Sequence, residues 1–317
     1  VSEDREEATM FATILVPLDR SPFAEAALPS ARWIASRSGG RLHLFLAHQP
    51  VPVLVGVAEA LASAPAPDLE AFRRERSYLV DTAIGLERAD GQPVLTHVGE
   101  GPPGAEIVEE AARIGADLIV MSTHGRGALG RLWPGSVADH VVRHVSVPIL
   151  LVRPGEPGSA GDSPEIRGIL VPLDLSPLSR TILDPLVEFA ALAHAPVTLL
   201  HVVSLRTQTV APGVPYPIAE DPSLLDVQRA NAECQLEMVA GELRLRGIAV
   251  STRVVIAFHA AAGVLDTLAE PGYDLVAMAT HGEGGFRRLL LGSVTSQVIR
   301  GAAKRVLVLR PPEALRH

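Results

Sequence analysis

Short apolar runs recur along the chain, separated by longer stretches in which apolar positions return every three or four residues. Residues 12–18 (ATILVPL), 41–48 (RLHLFLAH), 93–99 (PVLTHVG), 117–122 (DLIVMS) and 147–152 (VPILLV) are rich in β-branched residues and predict strands. Residues 24–39 (AEAALPSARWIASRSG) and 104–115 (GAEIVEEAARIG) carry helical spacing. The order returns with strands at 168–173 (GILVPL), 196–203 (PVTLLHVV), 250–257 (VSTRVVIA), 274–279 (DLVAMA) and 305–310 (RVLVLR). The first and fourth strand of each set are apolar throughout, as strands are in a parallel sheet covered on both faces. The alternation predicts an α/β fold of two doubly wound domains, each with about five parallel strands. Two proline-rich stretches, 49–67 and 204–222, fit neither period and predict long loops or surface insertions.

The recurrence extends to identity. TILVPLD (13–19) matches GILVPLD (168–174), and each is followed, one residue later, by Ser-Pro. Further on, ADLIVMSTHGRGALGRLWPGSV (116–137) matches YDLVAMATHGEGGFRRLLLGSV (273–294). Ile14 thus recurs as Ile169 and Asp117 as Asp274, at offsets of 155 and 157 residues, the mark of a duplicated domain. The expected division is a disordered tail at 1–9, a first domain at 10–152, a Pro/Gly/Ser-rich linker at 153–167 and a second domain at 168–311.

Composition narrows the chemistry. A net charge of −8 argues against general nucleic-acid binding, though not against one small phosphorylated ligand. Lys304 is the only lysine and sits in no glycine loop, which excludes a P-loop. Cys234 stands alone, so no internal disulfide and no cysteine-based zinc site can form, which suits a reducing cytosol or simple indifference to redox. No apolar run approaches the roughly 18 residues of a membrane span.

In open α/β sheets ligands sit beyond the carboxyl ends of the strands. Asp19 and Asp174 follow the first strand of each half, and the Thr-His-Gly steps 123–125 and 280–282 follow the fourth. Gly135-Ser136 and Gly292-Ser293 each precede a helical stretch, where free N–H groups and a hydroxyl suit an anion. Arg126 and Arg131 add cations to the first glycine loop, and Gly125, Gly127, Gly282, Gly284 and Gly285 allow close backbone approach. Each feature has a plainer alternative: Asp before Ser-Pro is an ordinary helix-capping arrangement, and a glycine loop with a Ser cap can hold nothing. No carboxylate is placed to make a catalytic pair with His124 or His281, so no catalytic residue and no metal site are assigned.

Together these residues resemble the universal stress protein family: a first strand ending in Pro-x-Asp, and a loop of pattern Gly-x2-Gly-x9-Gly-Ser/Thr that holds ATP phosphates. The spacing is met by Ser122-x2-Gly125-x9-Gly135-Ser136 and by Ala279-x2-Gly282-x9-Gly292-Ser293, with the first glycine replaced by Ser and Ala. The resemblance covers nearly the whole chain as two copies. It implies strand order 3-2-1-4-5 in each domain and pairing of the two domains through their last strands. It also implies ATP or a related adenine nucleotide as ligand, with or without Mg. On the adenosine side it points to Pro17 and Asp19 with Gln49, the residue after His48, and to Pro172 and Asp174 with Val202, the residue after His201. Around the phosphates it points to Gly101, Met121, Ser122, His124, Gly125, Gly135, Ser136 and Val137, joined by Arg126. The second set is Met278, Ala279, His281, Gly282, Gly292, Ser293 and Val294.

The function implied is a cytoplasmic ATP-binding stress-response or regulatory protein, with at most slow hydrolysis, built as an intramolecular pseudo-dimer with or without further homodimerisation. Neither nucleic acid nor membrane is expected as a partner. The alternatives are a nucleotide-free scaffold of the same fold acting through protein contacts, and a nucleotide-dependent enzyme. Differences between the loops, Arg126 against Glu283 and Gly101 against Phe258, suggest tighter binding in the first half.

Overall fold

The apolar runs of both halves assemble into one sheet. A computed structural model describes residues 11–49, 69–123, 135–154, 164–205, 207–211, 214–217, 222–280 and 291–312. The first half runs β1 (Thr13–Pro17), α1 (Pro22–Glu25), α2 (Leu28–Ser38), β2 (Arg41–His48), α3 (Leu69–Asp90), β3 (Val94–Glu100), α4 (Pro103–Ile114), β4 (Leu118–Ser122), α5 (Ser136–His144) and β5 (Ile149–Val152). The second runs β6 (Ile169–Pro172), α6 (Pro177–Arg180), α7 (Leu183–Ala193), β7 (Val197–Ser204), β8 (Thr207–Ala211), β9 (Val214–Pro217), α8 (Pro222–Leu245), β10 (Val250–Ala257), α9 (Ala260–Ala269), β11 (Leu275–Ala279), α10 (Ser293–Gly301) and β12 (Arg305–Leu309). The expected tail at 1–9, most of the linker, most of the 49–67 stretch and the loops carrying His124, Gly125, Arg126, His281 and Gly282 lie outside the described residues.

Strand order across the sheet is β10-β7-β6-β11-β12-β5-β4-β1-β2-β3. Within each half all neighbours are parallel, and the halves meet where β12 pairs antiparallel with β5, Leu307 opposite Leu150. Burial explains the join. Every residue of β5 is buried, as are Val306, Leu307 and Val308, and either strand alone would present an apolar open edge. One apolar cluster covers the face carrying α2, α7 and α8 and a second covers the face carrying α4, α5, α9 and α10. Both clusters draw residues from both halves. Across the junction Phe11 meets Phe189 edge-on at 5.8 Å between ring centroids, and Arg305 Nε donates to Ser30 Oγ at 3.1 Å.

β4 and β11 are buried along their full length, which is why their sequences are apolar without alternation. Each first helix starts alike: Ser21 and Ser176 cap it, with Pro22 and Pro177 in the first turn. The stretch around 204–222 departs from a plain loop, since β8 and β9 pair antiparallel as a small hairpin apart from the main sheet. The stretch's prolines hide it from a strand reading, yet Pro215 and Pro217 are tolerated in β9 because each strand of a two-stranded ribbon is an edge.

Candidate functional site

In each half the order of strands reverses beside the first strand, which has the second on one side and the fourth on the other. The ends of those strands bring the marked residues together. Asp174 follows β6 in a turn that puts Leu175 in the left-handed region at φ 69°, and Arg20 repeats this after Asp19 at φ 65°. The carboxylates are held by that turn: Ser176 donates to Asp174 Oδ1 from its backbone N at 3.0 Å and from Oγ at 2.6 Å. Ser21 N donates to Asp19 Oδ1 at 2.9 Å. Ser176 Oγ in turn accepts from Ser179 N, and Ser21 Oγ from Ala24 N. Capping and carboxylate placement are thus one device.

The fourth strands are tied to the following helices. Gly135 N donates to Thr123 O and Gly292 N to Thr280 O, each at 2.8 Å, so the start of α5 or α10 stands directly beyond the strand it follows. The helical ladders begin with Asp139 N to Gly135 O and Ser296 N to Gly292 O. The N–H groups of Ser136, Val137 and Ala138, and of Ser293, Val294 and Thr295, therefore have no partner within their own helix, and they give those ends a positive dipole.

In the second half these parts line a cleft of ≈ 200 Å³. Its walls include Pro172, Asp174, Val202, Met278, Ala279, Gly292, Ser293 and Val294, which are all the expected second-set residues that the structure describes. They also include residues that the sequence reading missed: Ser179, Leu200, His201, Ala260, Val264 and Thr295. His201 Nδ1 donates to Leu173 O at 2.8 Å, which holds the ring in place at the cleft wall. In the first half Pro17, Met121 and Ser122 are buried at their strand ends, Asp19, Gly101, Gly135 and Val137 are half-buried, and Ser136 is exposed.

Two pairings between the halves need correction. Matching histidines equates Gln49 with Val202. Sheet register does not: Pro17 stands opposite Phe45 and Pro172 opposite Leu200, so Phe45 corresponds to Leu200 and Ala47 to Val202. Gln49 lies past the end of β2 and is exposed. Applying the 155-residue offset of the first strand, in place of the histidine, finds Ala47. Similarly, Ala47 faces Gly99 and Val202 faces Val255, which equates Gly101 with Ala257. The helix caps are Pro102 and His259, so Phe258 is an extra residue between strand and cap, 55% exposed, and is no counterpart of Gly101.

A second titratable cluster lies on the α4 side of the first half. Glu110 is buried and accepts from Arg113 Nη2 at 2.6 Å, Arg113 Nε at 2.7 Å and His97 Nδ1 at 3.0 Å. His43 Nε2 lies 2.7 Å from Glu110 Oε1 but off the line that a hydrogen bond needs. Burial pushes the Glu110 carboxyl up, yet the Arg113 hydrogen bonds and the charges of His97, Arg113 and His43 outweigh it, so its pKa falls below the ordinary value. Burial lowers His43, and the Glu110 charge only partly offsets this. Among the described residues no group of three or more His, Cys, Asp or Glu could hold a metal ion, and no helix is long and apolar enough to cross a membrane.

Comparison with known proteins agrees with this geometry. The family model described as "Universal stress protein family" matches twice, at residues 10–153 and 165–310. A universal stress protein of Mycolicibacterium smegmatis is 28% identical over 308 residues, covering 94% of this chain and 97% of its own. One from Thermus aquaticus is 36% identical over 147 residues, 45% of this chain and 100% of its own length. Among solved structures, a universal stress protein from Archaeoglobus fulgidus superposes with a TM-score of 0.63 at 18% identity, covering 95% of this chain and 97% of that one, a likeness of fold.

Proposed function

The chain belongs to the universal stress protein family, and from that premise we propose that it binds an adenine nucleotide, ATP foremost, as a cytoplasmic stress-response or regulatory protein. The observation that carries the proposal is the cleft of the second half, where a held carboxylate, a strand-end backbone and a helix start whose first N–H groups have no partner within the helix converge. In this reading Asp174 accepts from ribose hydroxyls, the Val202 backbone borders the base, and the start of α10 meets phosphate, with Mg²⁺ as an optional companion. The cleft is smaller than the roughly 300–1,000 Å³ of pockets that enclose a drug-sized ligand, so part of a nucleotide would stand outside it. Cys234 is exposed and unpaired, which suits a reducing compartment. The proposal is of binding and assigns no turnover step.

A nucleotide-free scaffold is the second reading, favoured by Ser122 and Ala279 where the family pattern has its first glycine. Denaturing the purified chain and identifying released small molecules by mass spectrometry separates the two. Released ATP or another adenine nucleotide is expected. An empty protein whose melting temperature is unmoved by millimolar ATP would overturn the proposal in favour of the scaffold.

A further inference from the structure

Helix α5 carries two histidines one turn apart, His140 half-buried and His144 exposed. Their rings share one face of the helix, with centroids 4.1 Å apart and planes 21° from parallel. Each ring is held separately. His140 packs on the start of α4, where a Cβ on Gly104 would come 2.8 Å from His140 Cγ, so the glycine makes room for the ring. His144 Nδ1 donates to His140 O at 2.7 Å. In the neutral ring the lone pair then sits on Nε2, and metal-binding imidazoles are commonly oriented by such a bond from the other ring nitrogen. Burial, and after it the nearby His144, hold the His140 pKa below the ordinary imidazole value, with Asp139 offsetting this in part. Arg143 lies between the two histidines in sequence, and its charge is met by Asp139 through bonds of 2.7 and 2.8 Å. The fold does not demand this pair. The 157-residue offset that equates Ser136 with Ser293 puts Gln297 and Gly301 at the same places in α10.

We propose that His140 and His144 together bind a divalent first-row transition metal ion, at a site that the first repeat has and the second lacks. Imidazole nitrogen suits such ions, whereas magnesium beside a nucleotide prefers oxygen. Zinc–imidazole bonds are about 2.0–2.1 Å, so two nitrogens on one ion stand at most about 4.2 Å apart, a separation that rings 4.1 Å apart can meet. The helix adds to the attraction. His144 is the last residue of α5, and the carbonyl end of a helix favours a cation. Among the described residues no third His, Cys, Asp or Glu completes the set. Water therefore fills the other positions of the ion, and the site is open and exchangeable, unlike a closed structural zinc site. This binding is independent of the nucleotide reading above.

The test is titration calorimetry of the full chain with Zn²⁺ at about pH 7.5, where unperturbed imidazoles are neutral. One ion per chain is expected to bind more tightly than any other. His144→Ala and His140→Ala are each expected to weaken that binding at least about tenfold. His259→Ala removes an exposed histidine of the second repeat and is expected to change nothing. Circular dichroism checks folding. If His140→Ala fails to fold for want of its packing on Gly104, His144→Ala carries the test, since that ring is exposed and bonds back onto its own helix. Nitrogen-15 spectra of the imidazoles identify the ligands: Zn²⁺ should shift the ring nitrogens of His140 and His144 before those of any other histidine. Absence of zinc binding, undiminished binding by His144→Ala, or several equal weak sites spread over the histidines would each overturn the proposal. So would a tight ion that is lost in Cys234→Ser and kept in His144→Ala.

Discussion

A side chain in this fold acts through the partners that hold it. Asp174 is a case in which the capping alternative and the ligand-holding one coincide, because the same Ser176 hydroxyl that caps α6 also donates to the carboxylate. Ser176→Ala is therefore expected to cost about 1 kcal/mol of stability, the usual worth of a helix cap, and also to weaken nucleotide binding in the second repeat. Thermal melts and titration of one preparation read both effects, and lost stability with unchanged affinity would separate the roles. Glu110 shows the opposite case, a charge with a structural task. Its depressed carboxyl pKa contributes stability above the ordinary value of 4.5, and that stability is lost as pH falls through the folded value. His43 is also lowered, so it favours the folded chain when neutral, and that contribution fades as pH falls below 6.5. Both signs predict weakening on acidification, with His43 acting first. Glu110→Gln is expected to cost about 1–3 kcal/mol at pH 7, as lost charge-assisted hydrogen bonds do, and to flatten the acid limb below pH 4.5. Melting curves from about pH 2.5 to 8 measure this, and an unchanged acid limb below pH 4.5 would refute the assignment.

At the level of elements, period and composition disclosed most of the fold, because strands buried on both faces must be apolar throughout, as β4 and β11 are. The duplication was legible for the same reason: TILVPLD and GILVPLD preserve strand, turn and cap together. Register was less legible. Side chains alternate along a strand, so aligning His48 with His201, two positions off the offset of the first strand, kept the same alternation while naming the wrong neighbour for Val202. The extra residue before α9 was hidden in the same way, since a one-residue insertion between strand and cap leaves both periods intact. Cleft walls such as Ser179 and Ala260 carry no chemical mark in the sequence and become visible only when α6 and α9 pack. One element-scale device is open to direct test. Gly292 N ties the start of α10 to Thr280 O, and the φ of −53° suits proline. Gly292→Pro should remove that single bond, costing about 1 kcal/mol, while lowering ATP affinity by displacing the helix start. Affinity unchanged against a native circular dichroism spectrum would show that the tie does not position the site.

For the whole molecule, the antiparallel β5–β12 pair turns two repeats into one body whose cores are shared. Leu150 and Leu307 face each other in register and both are fully buried within the same apolar cluster, which also takes in Ile14, Leu118, Ile169 and Leu275. Neither half can lose its last strand without baring that cluster, so unfolding should be cooperative across the chain. The positions of the tryptophans make this measurable. The chain has two, Trp33 and Trp133, both in the first repeat, and Trp33 packs on the shared cluster. Tryptophan fluorescence therefore reports the first repeat, whereas far-ultraviolet circular dichroism reports both. Leu307→Ala alters only the second repeat and removes a fully buried side chain, a change worth about 2–5 kcal/mol. If the repeats unfold together, urea curves followed by the two signals should shift to lower denaturant by the same amount and remain superimposable. A shift confined to circular dichroism, with the fluorescence midpoint unmoved, would mean that the first repeat stands without its partner and that the junction joins two independent folds.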